Sequence, residues 1–172
     1  MGEAFLIQQG EMVEPEPPIP EGSLYYEGDE VTGITGEWVT GIVGSESSLI
    51  KNTDHLYASA NGTNADFEQR MALWTTDNTI DLTNIDTLFI TWKNTGNAST
   101  ANRSYFIAGG LKNGNTGSFG VRLEKESTFT LVEDSIDVSG LTGNHYVRCG
   151  CRDASSNENS NAKVEIYAIR GV

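Results

Sequence analysis

The sequence predicts an all-β fold: an antiparallel sandwich behind an extended N-terminal arm. Three observations carry that prediction. From Leu24 onward, apolar and polar residues alternate with a period of two in short runs. The runs are separated by Asn-, Gly- and Thr-rich turn signals. All 4 prolines lie before residue 21, so nothing interrupts the ladders that follow.

Taken in order, the first element is the arm. Residues 1–22 hold a short apolar patch, Phe5-Leu6-Ile7, and then the acidic proline run Glu14-Pro15-Glu16-Pro17-Pro18-Ile19-Pro20. Such a run favours extended polyproline II and serves as a semi-rigid spacer. Residues 23–172 read as the sandwich domain. Within it, Leu88, Ile90 and Trp92 alternate with Phe89 and Thr91. Phe119, Val121 and Leu123 alternate with Gly120, Arg122 and Glu124, and Phe129 shares a face with Leu131. Val147, Cys149 and Cys151 alternate with Tyr146, Arg148 and Arg152. Val164, Ile166 and Ala168 alternate with Glu165 and Tyr167 in the last strand. Asn94–Asn97, Lys112–Asn115 and Thr142–Asn144 supply turns, with Asn113-Gly114 placed to close a hairpin. The only helical signal is weak and covers Asn64–Met71.

The formal net charge of −13 argues against nucleic acid and against an anionic membrane surface. No run is long and apolar enough to span a bilayer, so membrane insertion is not expected. Cys149 and Cys151 would form a strained bridge with each other and lack further cysteines for a zinc set. They read as buried thiols.

The search for chemistry returns no nucleophile elbow, zinc-protease helix or phosphate loop. His55 and His145 read as structural. Glu30, Glu37, Asp134 and Asp137 could in principle form a glycosidase pair, which demands one shared cleft. A solvated acidic surface is the simpler reading. Glu133, Asp134 and Asp137 offer hard oxygen donors for calcium, but no EF-hand loop accompanies them. No catalytic residue, metal ligand or cofactor is therefore assigned. Trp92 is in phase with the core. Trp38, between Gly36 and Gly41, is also better read as packing. If the domain binds a ligand on an exposed aromatic platform, Trp38, Tyr25 and Tyr26 are the candidates.

The start Met1-Gly2-Glu3-Ala4-Phe5-Leu6-Ile7, the stretches Leu24–Glu30 and Thr35–Trp38, Ile80–Leu88, and Ile136–Arg148 with Ala162–Tyr167 resemble small structural proteins of phages and prophages of Gram-positive bacteria. The resemblance implies a virion protein whose Phe5, Leu6 and Ile7 dock on other virion structural proteins. The sandwich would then decorate the head or tail, or contact a cell-surface glycan. It also implies a homo-oligomer, with a trimer as one form, assembled in the host cytoplasm and released by lysis. Ile80–Leu88 and Lys163–Tyr167 are similar as well to jelly-roll carbohydrate-binding modules, in which the first and last strands pair. That resemblance implies a jelly-roll sandwich, and glycan binding independent of any particle.

Overall fold

The computed structural model describes residues 19–30, 35–44, 47–61, 70–96, 102–112, 120–126, 129–153 and 161–172. The patch Phe5-Leu6-Ile7, the Asn113-Gly114 turn and most of the Asn64–Met71 segment lie outside them.

Fourteen strands stand among the described residues: β1 (Ser23–Tyr26), β2 (Asp29–Glu30), β3 (Trp38–Val43), β4 (Ser48–Lys51), β5 (Leu56–Asn61), β6 (Met71–Thr76), β7 (Ile80–Asp81), β8 (Thr87–Asn94), β9 (Asn102–Ala108), β10 (Val121–Glu126), β11 (Val132–Asp137), β12 (Asn144–His145), β13 (Val147–Asp153) and β14 (Asn161–Gly171). They form two large antiparallel sheets and one small pair. The first sheet has 7 strands and runs β11-β8-β14-β1-β2, with β5 and β4 extending it from the first half of β14. The second has 5 strands in the order β10-β9-β13-β6-β3. β7 and β12 pair at the side.

β14 organises the first sheet. One edge pairs with β8; the other pairs with β5 over Asn161–Ile166 and with β1 over Ala168–Arg170. The first and last strands of the domain therefore lie side by side. The chain crosses between the sheets rather than building each in turn, which gives the jelly-roll sandwich predicted for it.

The core lies between the sheets. Even-numbered β8 residues Leu88, Ile90 and Trp92 face Leu56, Ala58, Val164 and Ile166 from their own sheet, and Trp74, Phe106, Cys149 and Cys151 from the other. The two cysteines are free, buried thiols, as read from the sequence. Each buried indole N–H finds an acceptor, as burial of a polar group requires. Trp38 donates to the Leu24 carbonyl at 3.3 Å, Trp74 to the Tyr57 carbonyl at 3.0 Å and Trp92 to Asp134 at 2.9 Å.

Three expectations need correction. Met71 opens strand β6 rather than ending a helical turn. β6 is buried at every position, because Met71 and Leu73 join Tyr105, Ile107 and Ile42 in a second apolar cluster on the outer side of the second sheet. A strand covered on both faces loses the alternation that would announce it. Phe129 and Leu131 do not form a strand over the core. Both are exposed, and β11 starts only at Val132. Finally, Ala168 does not follow Ile166 inward. A bulge between Ile166 and Ala168 shifts the phase, so that Ile169 is buried and Ala168 and Arg170 turn outward.

Candidate functional site

The bulge shapes the site. With Ala168 and Arg170 turned out, the second half of β14 offers the solvent a small side chain beside a long cationic one. Register places Phe89 of β8 opposite Arg170, Thr91 opposite Ala168 and Glu133 of β11 opposite Thr91. On the other side Tyr26 of β1 pairs with Ala168. Because residues two apart on a strand share a face, these side chains converge on the outer surface of the first sheet.

They line an open cavity of about 160 Å³, together with Ser23 and Pro20. Pro20 is held there because the Ser23 N–H donates to its carbonyl at 3.2 Å, while Gly22 accepts from the Gly171 N–H at 2.9 Å. The end of the proline segment is thus tied to the sheet and forms one wall of the site.

The chemistry is mixed. The Arg170 guanidinium lies 4.0 Å from the Phe89 ring centroid, a cation–π contact that fixes both groups. It also reaches both Glu133 oxygens, at 3.3 and 3.4 Å. That half-exposed pair adds little stability, but it leaves the site with no net charge. Tyr26 and Phe89 give apolar walls, and Ser23, Thr91, Glu133 and Arg170 give hydrogen-bonding groups. The volume is below the roughly 300–1,000 Å³ of pockets for drug-sized ligands, so the cavity suits a single ring.

Beside it stands Tyr167, the residue inside the bulge. Its hydroxyl donates to Glu165 at 2.7 Å, and this bond, with some desolvation, pushes the phenol up to about 12. The His55 ring lies over it with centroids 5.2 Å apart. His55 is itself oriented by Asp54, 2.7 Å from Nδ1, and by Asn52, 2.8 Å from Nε2. Asp54 can only accept, so Nδ1 carries the proton and Nε2 accepts from the Asn52 amide.

Of the aromatic residues predicted to bind a ligand, Tyr26 alone is at this surface. Trp38 is packed, as the sequence preferred, and its alternative role as a ligand platform is corrected together with that of Tyr25: both are fully buried and meet edge to face, with centroids 6.4 Å apart. Trp38 is covered because it opens edge strand β3 with its ring turned toward the core, and the flanking glycines do not expose it. Phe5, Leu6 and Ile7 lie outside the described residues. Sequence reasoning missed Phe89 and Arg170 as site residues. Phe89 was legible as the outward member of the β8 alternation, whereas Arg170 depends on the bulge.

The carboxylates are occupied elsewhere. Glu30 accepts from the Trp38 N–H at 2.8 Å and meets Lys51 at 2.7 Å, with Glu37 3.9 Å from the same ammonium. The two glutamates are therefore brought together, but around a lysine. Asp134 is bound by Trp92 and Lys125, and Asp137 by the Ser139 amide and hydroxyl. Strand alternation turns Glu133 to the outer face and Asp134 to the inner, so the three acids suggested for calcium do not converge.

No protein-family model matches the chain, and no curated protein matches it. Solved structures do. One described as "CBM4 structure and function" aligns with a TM-score of 0.50 and 14% identity, over 78% of this chain and 94% of its own. "BiXyn10A CBM1 APO" aligns at 0.47 and 10%, over 79% and 89%. A family 6 carbohydrate-binding module aligns at 0.45 and 17%, over 80% and 89%. The first of these shares the architecture described above, and at such identity the likeness concerns the fold: this chain is an antiparallel jelly-roll β-sandwich.

Proposed function

We propose that the domain is a glycan-binding module and that the cavity on the outer face of the first sheet receives one sugar ring. The observation that carries this reading is the cavity's make-up. Two aromatic side chains stand beside a paired arginine and glutamate and two hydroxyls, in a space sized for a ring. A pyranose presents C–H faces that pack on aromatic rings and hydroxyls that need both donors and acceptors. Arg170 donates, Glu133 accepts, and Ser23 and Thr91 do either. The fold shared with the CBM4 structure supports the reading.

The test is calorimetry with xylose, glucose and N-acetylglucosamine oligomers. At least one series should bind, and Phe89→Ala should weaken it about tenfold or more, or roughly 1.4 kcal/mol. Unchanged affinity in that variant would move the site elsewhere.

A second, separable proposal concerns residues 1–18. The apolar Phe5-Leu6-Ile7 patch and the proline spacer favour docking on a larger assembly such as a phage particle, with the sandwich held outward. Its support is the sequence pattern.

A further inference from the structure

Resting on that glycan-binding reading, we infer that the site continues across the sheet into a second ring-binding subsite built by Tyr167, Tyr57 and Ile50, so that the ligand is a neutral oligosaccharide rather than a single sugar. The strand register carries the inference. Ile50 of β4 stands opposite Tyr57 of β5, Tyr57 opposite Glu165 of β14, and Glu165 opposite Lys93 of β8. This row lies on the same outer face as the cavity. Tyr167 falls between the row and Ala168, which is a cavity wall.

The distances suit a chain of rings. Strands in a sheet are about 4.8 Å apart, so the path from β4 across β5 and β14 to β8 covers roughly 14 Å. That is too long for one ring and suits two or three. Ile50 is 49% exposed, an apolar side chain left open on an edge strand. Tyr167 is braced by Glu165 on its hydroxyl and by His55 on its ring, so it costs little entropy to use as a platform.

Charge selects the occupant. Along this path Lys93 lies 3.9 Å from Glu165, and Arg170 is paired with Glu133. The cations are already neutralised, and the chain as a whole carries −13. An acidic sugar would have to displace a glutamate and approach against that charge. A neutral chain with apolar ring faces and hydroxyl edges meets no such cost.

Calorimetry with xylose, glucose and N-acetylglucosamine oligomers of one to six rings tests this on the full chain, with galacturonic acid oligomers as the acidic comparison. Affinity for the binding neutral series should rise tenfold or more between one ring and three, and the acidic series should bind more weakly. Tyr167→Ala should bring the affinity for three rings down to that for one. Tyr167→Phe, which keeps the ring and loses only the bond to Glu165, should retain most of the gain and controls for folding. Equal affinity for one ring and three would overturn the subsite while leaving the cavity reading intact. So would tighter binding of the acidic series. Self-association of the chain that Tyr167→Ala abolishes, without any dependence on ring number, would replace the subsite with an interface between copies. No binding by any series would contradict both readings.

Discussion

Phenols and their surroundings divide the tyrosines of this protein by role. Tyr25 and Tyr105 are buried, and desolvation raises both above their ordinary value. Tyr167 is raised to about 12 chiefly by its bond to Glu165. For an acid whose folded value lies above its unfolded value near 10, the folded state holds the proton longer. Its contribution to stability is complete below about pH 10 and is lost as the pH rises toward 12. The protein should therefore unfold in base, with Tyr25 and Tyr105 releasing their protons only in the unfolding transition. Phenolate absorbance followed together with circular dichroism checks this. Complete titration of all 6 tyrosines near pH 10 with the fold intact would contradict it. The same burial explains why Trp38 and Tyr25 failed as ligand platforms. For Trp38 the packed reading preferred from the sequence holds, whereas for the adjacent Tyr25 and Tyr26 only packing decides which ring turns outward.

Strands were legible where one face is covered and the other is wet. β8 and β14 show the period of two, and their inward residues were read correctly as far as Ile166. β13 is buried on both faces, and its inward residues Val147, Cys149 and Cys151 were legible only because polar Arg148 and Arg152 alternate with them. β6 was not legible, because its outer face is buried too. The bulge in β14 was not legible either. A bulge leaves no compositional mark, yet this one turns Ala168 and Arg170 outward and so builds the cavity. The glycine at position 150 shows a related constraint. β13 lies between β9 and β6, and a Cβ on Gly150 would sit 2.0 Å from the Ala72 carbonyl oxygen. Gly150→Ala must push β13 and β6 apart in the middle of the sheet. It should cost about 1–3 kcal/mol or more, which for a chain of this size lowers the melting temperature by roughly 2–4 °C per kcal/mol. An unchanged melting curve would show that the strands separate without penalty.

At the scale of the whole molecule, the sandwich and the leading segment have separate tasks in this account. Among the described residues, the cavity lining begins at Pro20, which the Ser23 N–H ties to the first sheet. Removing residues 1–18 should leave glycan affinity within about twofold, while any attachment to a particle should be lost. Particle binding that survives the deletion would remove the docking role of Phe5, Leu6 and Ile7. The fold class could be read from the sequence because turn residues and alternation agree along most of its length. The site could not, because it is assembled from β1, β8, β11 and β14, which meet only through long-range pairing. The most direct test is a map of NMR chemical-shift changes on titration with the tightest-binding neutral oligosaccharide. Changes should concentrate on the outer face of the first sheet, at Tyr26, Phe89, Thr91, Ala168 and Arg170, and extend to Tyr167, Tyr57 and Ile50. Changes centred on the opposite sheet, around Tyr105 and Arg152, would contradict this placement of the site.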